Sequence, residues 1–187
     1  MTTSACWCSS PLTSTPHPSS PNSQLSPSRP YELSEAEVLL SPIGYVTSTR
    51  AEARDDHWDS ETASIALTED FASDALVGLD TFSHVEIVYY FHRVPDEKIE
   101  HGARHPRGNE DWRAVGIFAQ RGKNRPNRLG ISVCRIIGIE GKILRVDGLD
   151  AIDSTPVLDV KPWMAEFGPR GVVQQPEWST ELMRDYW

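Results

Sequence analysis

Four cations lie close together in one short polar stretch of the chain. They are Arg121, Lys123, Arg125 and Arg128, all within eight residues. Pro126 restricts the backbone conformation between them, and a restricted backbone loses less conformational entropy when it binds a ligand. Guanidinium and ammonium groups form strong, charge-assisted hydrogen bonds with carboxylates and phosphates. Residues 121–128, called the basic stretch below, therefore predict an anion-binding turn, and a solvated basic turn is the alternative.

Two other polar segments carry groups that complement an anion site. Asp150 and Asp153 lie in a turn-rich acidic loop, and His92-Arg93 follows an apolar run. Carboxylates accept hydrogen bonds from hydroxyls or amines, and arginine holds carboxylates or phosphates. All three segments stand at the ends of predicted strands, which can converge in a barrel, so they predict one shared pocket. Hydrogen bonding of the two aspartates to their own backbone is the alternative.

Several common catalytic patterns are absent from the sequence. It contains no G-x-G-x-x-G after a strand, no P-loop and no G-x-S-x-G. His101 and His105 are spaced by four but lie on no convincing helix, and Cys6-Trp7-Cys8 is an isolated pair of thiols. These observations argue against a Rossmann or P-loop enzyme, and we predict no metal site.

The elements that must position these groups are short strands. Apolar and β-branched runs predict strands at 43–48, 62–67, 85–91, 115–119, 131–139, 142–146 and 157–160. We expect the basic stretch to join its two flanking strands as a hairpin-like turn, and Glu140-Gly141 to close a second hairpin. Six or seven strands with almost no long helix predict an all-β, mainly antiparallel fold. It is expected to be a small closed or nearly closed β-barrel with short peripheral helices, one of them within 178–187.

The N-terminal part of the chain differs in composition from the rest. Of the 22 residues from Ser9 to Pro30, eight are Ser and six are Pro. Such a segment buries too little apolar surface to offset the entropy lost on ordering. We therefore predict a disordered tail at 1–34 and a single domain at 35–187, a length sufficient for one hydrophobic core.

Charge is distributed unevenly along the 187 residues, whose formal net charge is −9. Residues 104–128 hold seven Lys or Arg against two acids, whereas 35–74 holds ten acids against two Arg. One basic patch on an acidic body predicts local anion binding, not a broad nucleic-acid surface. Three cysteines form no disulfide framework, which predicts a reducing, cytoplasmic location. No apolar run is long enough to predict a membrane span.

Three groups of motifs stand in a fixed order along the chain. They are Phe82-Ser83-His84 with Tyr90-Phe91-His92, then residues 116–121 with 125–130, and finally Asp150-Ala151-Ile152-Asp153-Ser154-Thr155-Pro156 continuing to Pro162. Together they resemble the TrmO/TsaA-like methyltransferase family, over roughly residues 43–163. Members of that family are dimeric β-barrel proteins that use S-adenosylmethionine. Characterised members methylate the exocyclic amine of threonylcarbamoyl-adenosine beside the tRNA anticodon.

The resemblance implies an S-adenosylmethionine-dependent methyltransferase that forms a homodimer. The implied cofactor-binding residues are His92, Arg93, Arg121, Leu129, Asp150, Ala151, Ile152 and Asp153. We expect Arg93 or Arg121 to hold the cofactor carboxylate, Asp150 or Asp153 to accept from ribose hydroxyls, and Leu129 or Ile152 to line adenine. The expected substrate-binding residues are Lys123, Arg125, Asn127, Arg128 and Lys161. Asp153 or Asp159 is expected to take the acceptor's proton.

One segment departs from the family pattern and leaves the acceptor open. Similar family members carry a Pro-Arg-Gln-like segment that contacts the cofactor, whereas residues 50–58 here are Arg-Ala-Glu-Ala-Arg-Asp-Asp-His-Trp. The first hypothesis is methylation of tRNA adenosine. The second is methylation of a small metabolite on the same barrel. The third is a non-catalytic module that binds the cofactor or another anion.

Overall fold

A computed structural model describes residues 38–187. Its strands are β1 (Gly44–Ser48), β2 (Thr62–Leu67), β3 (His84–Tyr90), β4 (Ala103–Arg104), β5 (Val115–Gly116), β6 (Leu129–Glu140), β7 (Ile143–Asp147) and β8 (Pro156–Pro162). Short 3-10 helices span Ser73–Leu76, Leu79–Thr81, Asp96–Lys98, Pro106–Gly108, Ile117–Ala119 and Ala165–Phe167, and one α-helix, α1, spans Glu177–Leu182. The predicted tail at 1–34 and Cys6-Trp7-Cys8 lie outside the described residues.

Six strands close into a barrel in the order β1-β2-β7-β6-β3-β8. Every neighbouring pair is antiparallel, and β1 closes the ring by pairing with β8. The two-residue strands β4 and β5 form a separate sheet. The predicted fold class, a small closed antiparallel β-barrel with short peripheral helices, is confirmed.

Alternation of side chains along the strands builds the barrel core. On β2 the buried residues are Ala63, Ile65 and Leu67, and the small residues between them, Ser64 and Ala66, point outward. The same period-2 pattern places Val85, Ile87 and Tyr89 of β3 inside the barrel. One face of each strand thus supplies the apolar interior.

Gly130 gives room to the largest buried side chain of the core. Tyr89 is 1% exposed, and a Cβ at Gly130 would stand 2.3 Å from its ring. The Tyr89 hydroxyl lies 3.3 Å from the Ser132 hydroxyl, so the polar end of the ring has a hydrogen-bond partner. A residue without a side chain at 130 is therefore what lets the tyrosine ring lie over the neighbouring strand β6.

The expectation that the basic stretch closes a β-hairpin is wrong. The predicted strand at 115–119 is limited to β5 and continues as a 3-10 helix, and β5 pairs with β4 instead of β6. The Arg125 guanidinium explains this departure. It donates to the backbone carbonyls of Ile117 and Gln120, so the chain between these two residues bends around the arginine side chain. The second predicted hairpin is confirmed, since β6 and β7 pair on either side of Glu140-Gly141.

Candidate functional site

Three connections leave the barrel at the same end. They follow β1, β3 and β7, which end at Ser48, Tyr90 and Asp147. Antiparallel pairing brings these ends together, because Ser48 stands opposite Ala63 and the neighbouring Thr62 stands opposite Asp147. Polar segments that are distant in sequence therefore meet over one mouth of the barrel.

A cavity of about 280 Å³ lies among these connections. Its lining residues are Ala53, Arg54, Asp55, Trp58, Phe91, His92, Arg93, Val94, Pro95, Lys98, Lys123, Asn124, Asp150, Ala151, Ile152 and Thr155. Small-molecule sites in proteins start at about 300 Å³ and combine apolar walls with a few polar groups. This cavity is slightly smaller than that range but has the same kind of lining, because apolar side chains such as Phe91 and Ile152 are combined with charged ones such as Arg93 and Asp150.

The connection between β1 and β2 is folded around the Arg50 side chain. Arg50 is 8% exposed, and its guanidinium lies 3.6 Å from the ring centroid of Trp58. It donates to the backbone carbonyls of Asp56 (2.7 Å) and His57 (3.1 Å), and Glu61 is 3.7 Å away. These contacts hold Trp58, which is 3% exposed, as a fixed wall of the cavity.

Two further cations tie the connections to one another around the cavity. Arg93 donates to the Ala51 carbonyl at 2.9 Å, which joins the segment after β3 to the segment after β1. Lys123 donates to the Asp55 carboxylate at 3.0 Å, which joins the basic stretch to the same segment. The walls of the cavity are thus cross-linked by side chains that also line it.

Asp150 brings a partly buried carboxylate to the cavity. Burial raises the pKa of Asp150 to about 6, and the nearby charge of Asp55 acts in the same direction. A hydrogen bond from the Tyr186 hydroxyl and the charges of Arg50 and Lys123 act in the opposite direction. At neutral pH the carboxylate is therefore mostly ionised and able to accept a hydrogen bond from a ligand.

The neighbouring Asp153 holds its loop against β1. Its carboxylate accepts from the Ser48 backbone N–H (3.1 Å) and from the Ser154 hydroxyl (2.9 Å). These hydrogen bonds, the one from Ser48 first, keep the pKa of Asp153 below its usual value. Burial and then the charge of Arg93 lower the pKa of His92, and the charge of Asp153 acts in the opposite direction, so this imidazole is neutral at pH 7.

The predicted site residues divide into two groups. Those that line the cavity are His92, Arg93, Lys123, Asp150, Ala151 and Ile152. Those that lie outside its lining are Arg121, Arg125, Asn127, Arg128, Leu129, Asp153, Asp159 and Lys161. The structure therefore brings together the segment after β3, part of the basic stretch and the loop before β8, while the roles of the individual residues stay predictions.

Several cations outside the lining bind the protein itself. Arg121 is exposed and donates to the Ile131 carbonyl at 2.9 Å. Arg128 donates to the Val94 carbonyl at 2.7 Å and pairs with Asp96. On β8, Lys161 pairs with Asp159, two residues before it. Much of the charge in the basic stretch is thus engaged with backbone carbonyls of the protein itself, and anion binding by this stretch stays a prediction.

Ten of the sixteen lining residues went unpredicted from sequence, among them Asp55, Trp58 and Phe91, and so did Tyr186, which contacts Asp150. An aromatic residue in an otherwise acidic connection is a signal for Trp58, because loops seldom carry a tryptophan without a packing partner. Phe91 ends an apolar run and belongs to a motif named above. No pattern in the sequence indicates that Tyr186 contacts Asp150, because the contact spans 36 positions of the chain.

Within residues 38–187 no group of three or more His, Cys, Asp and Glu side chains is placed to hold a metal ion. The longest helix of that part of the chain has six residues, and none has the length and apolar character needed to cross a bilayer.

Comparisons of this chain with a family model, with related sequences and with solved structures all identify similar proteins. The family model described as the tRNA-methyltransferase O N-terminal domain matches residues 47–168. A relative from Methanothermobacter thermautotrophicus, named a probable S-adenosyl-L-methionine-binding protein, is 34% identical over 74% of this chain and 99% of its own length. The human tRNA (adenine(37)-N6)-methyltransferase is 35% identical over 54% of this chain and 23% of its own length.

A crystal structure of TrmO from P. aeruginosa superposes with a TM-score of 0.63 at 29% sequence identity. The superposition covers 78% of this chain and 63% of that one. The chain thus spans less than two thirds of the solved protein, and about a quarter of the human enzyme.

Proposed function

Because this chain belongs to the tRNA-methyltransferase O N-terminal domain family, we propose that it is an S-adenosylmethionine-dependent methyltransferase whose cofactor binds in the cavity at the barrel mouth. The observation that carries the proposal is the composition of that cavity. It joins the partly buried carboxylate of Asp150, the cation of Arg93 and the aromatic rings of Trp58 and Phe91 in one enclosure.

These side chains fit the functional groups of S-adenosylmethionine. Asp150 accepts hydrogen bonds from ribose hydroxyls, and Arg93 pairs with the methionine carboxylate. Ile152 and the ring of Phe91 offer apolar surface to the adenine. The ribose hydroxyls and the methionine carboxylate therefore each have a polar partner of the right kind in the lining.

When bound, S-adenosylmethionine supplies a methyl group on a positively charged sulfur, and the displacement removes that charge. The protein's part is to align the acceptor and exclude water, since positioning contributes much of the acceleration of such reactions. Trp58 and Phe91 close two walls of the cavity. Burial keeps His92 neutral, so that it adds no positive charge next to a sulfonium.

The acceptor nitrogen must lose a proton when it is methylated, and we propose a carboxylate for that step. Asp153 and Asp159 are the candidates. Asp153 directly follows the lining residue Ile152, whereas Asp159 lies within β8 opposite Val88. This placement favours Asp153 of the two.

We propose tRNA adenosine as the acceptor, because the human relative is named for that activity. A small metabolite is the second candidate, and a specific observation supports it. Four cations between residues 104 and 128 already form ion pairs within the protein, and these are Arg104, Arg107, Lys123 and Arg128. Fewer charges then remain for a polyphosphate backbone.

The cofactor proposal predicts a sharp difference between two arginines. Arg93→Gln is expected to weaken S-adenosylmethionine binding about 30- to 100-fold, the usual effect of losing a charge-assisted hydrogen bond to a carboxylate. Arg121→Gln is the matched control and should bind within about twofold of wild type, because Arg121 lies outside the lining. Isothermal titration calorimetry measures both. Equal losses in the two variants, or no binding by the wild-type protein, would contradict the proposed site.

An assay with S-adenosylmethionine labelled in its methyl group distinguishes methyl transfer to tRNA from methyl transfer to metabolites. We expect label in bulk tRNA from cells that lack this activity, and we expect that incorporation to fall steeply as salt rises. Label in a metabolite extract but not in tRNA would favour the second candidate. Cofactor binding without transfer to either pool would favour a non-catalytic module.

We also propose that the protein forms a homodimer in a reducing, cytoplasmic compartment. The outer face of β6 exposes Ile131, Val133 and Ile137, an apolar stripe that Arg135 interrupts and that pairing would cover. The buried thiol of Cys134 on the opposite face fits a reducing location. Light scattering that shows a monomer at micromolar concentration would refute the dimer, and imaging of the tagged protein tests the compartment.

A further inference from the structure

The last ten residues of the chain pack against the candidate site. Near its start, this segment is anchored by Glu181, which accepts a hydrogen bond from the Trp112 indole at 2.8 Å. At its end, the Trp187 ring packs edge-on against Tyr186, with 5.1 Å between ring centroids. Both contacts fix the backbone from which the Tyr186 side chain extends.

Two main-chain hydrogen bonds tie the same segment to the wall of the cavity. The backbone N–H of His57 donates to the Asp185 carbonyl, and the N–H of Trp58 donates to the Tyr186 carbonyl, both at 2.9 Å. Because Trp58 lines the cavity, the backbone of Tyr186 is hydrogen-bonded directly to a residue of the cavity wall. The tyrosine hydroxyl then reaches across to the Oδ2 oxygen of Asp150.

We propose that Tyr186 is a positioning residue, which holds the Asp150 carboxylate in one orientation so that its other oxygen accepts a hydrogen bond from the bound ligand. The inference rests on the proposed function, because the ligand in question is the nucleoside cofactor. It adds to that function a residue outside the stretch 47–168 that matches the family model.

The chemistry of the pair fits this role. Burial and the Asp150 charge both raise the pKa of Tyr186, so the phenol stays protonated and always donates. A carboxylate with one oxygen occupied by a fixed donor has lost most of its rotational freedom, which lowers the entropy cost of binding. Arg50 and Lys123 also favour the ionised carboxylate, whereas Asp55 opposes it. On the barrel side, Asp150 faces Tyr89 and Cys134, whose pKa values it raises.

The test is Tyr186→Phe in the full chain, with S-adenosylhomocysteine as an unreactive probe. Calorimetry at pH 7 is expected to show binding about 5- to 20-fold weaker than wild type, since one hydrogen bond to a charged group is lost. Loss of that bond also raises the pKa of Asp150, so the pH below which binding weakens should move upward by about 0.5 to 1 unit. Glu181→Gln is the matched control, since its amide oxygen can still accept from the Trp112 indole and the change does not touch Asp150, and it should bind like wild type.

A double variant separates positioning from general support of the fold. In an Asp150→Asn background, Tyr186→Phe is expected to add less than about a twofold loss, because the two residues act as one unit. An unchanged affinity and pH profile in Tyr186→Phe overturns the inference and leaves the proposed function standing. A loss that is uniform at every pH, and equally large in the wild-type and Asp150→Asn backgrounds, also overturns it. Failure of the wild-type protein to bind S-adenosylhomocysteine overturns both the inference about Tyr186 and the proposed function.

Discussion

The Asp150→Asn variant is expected to be more stable than the wild-type protein at neutral pH while binding S-adenosylmethionine about 10- to 100-fold more weakly. Both effects come from the partly buried charge. The amide keeps the size of the carboxylate and can still accept from Tyr186, but it needs no charge in that position. Its oxygen is a weaker acceptor for ribose hydroxyls than an ionised carboxylate.

The sign of the stability effect follows from the direction of the pKa shift. The pKa of Asp150 is raised from 3.8 to about 6 on folding, so between those values the native state binds more protons than the unfolded chain. The free energy of unfolding of the wild-type protein therefore falls as pH rises through this window. At pH 8 the ionised carboxylate costs on the order of 1 to 3 kcal/mol, which the Asp150→Asn variant recovers.

Urea unfolding of both proteins at pH 4.5 and pH 8 measures this gain. The advantage of the variant should be small at pH 4.5 and larger at pH 8. Asp153→Asn is the control from the same loop, and it is expected to destabilise the protein, because the pKa of Asp153 is lowered by hydrogen bonds that favour its charge. A destabilised Asp150→Asn variant at pH 8 would show that the carboxylate has a structural role instead of a binding role.

Replacing Arg50 by Ala is expected to lower the free energy of unfolding by about 3 to 5 kcal/mol, because a buried guanidinium with two hydrogen bonds to backbone carbonyls and a nearby counter-charge is removed. Two backbone carbonyls would lose their donor and Glu61 would lose its counter-charge. The Trp58 ring would lose the guanidinium stacked on it. Because Trp58 lines the cavity, cofactor affinity should fall in parallel.

An exposed arginine in the same connection provides the comparison. Arg54 pairs with Glu52 at 2.9 Å, but its side chain is 75% exposed. Solvent screens such pairs, so Arg54→Ala is expected to change stability by less than about 0.5 kcal/mol. Chemical denaturation of the two variants under identical conditions distinguishes them, and similar losses would mean that the Arg50 contacts do not stabilise this connection.

The barrel strands were predictable because their pattern is local. Apolar residues alternate along β2 and β3, and turn residues stand between β6 and β7, so both strand positions and one hairpin were correct. The segment 115–119 has the same apolar character but forms a two-residue strand and a 3-10 helix. Its conformation is set by Arg125, whose contacts with backbone carbonyls depend on tertiary structure.

The motifs predicted the segments of the site better than the individual side chains. Family membership is confirmed, and His92-Arg93 and the loop from Asp150 to Ile152 meet at the cavity as expected. Residue type alone could not show which cations of the basic stretch face a ligand. Lys123 lines the cavity, whereas Arg128 is directed to a carbonyl and a carboxylate of the protein. Nor could local pattern show the contact of Tyr186 with Asp150.

The closed ring of six strands also limits how copies of this chain can associate. Each strand of the ring is paired on both of its sides, so its backbone donors and acceptors are already used along the paired registers. An open sheet has edge strands to which a strand of another molecule can pair, but a closed barrel has no edge strand. In the homodimer that we propose, the barrels would therefore join through side chains, for which the exposed apolar residues on the outside of β6 are the candidates.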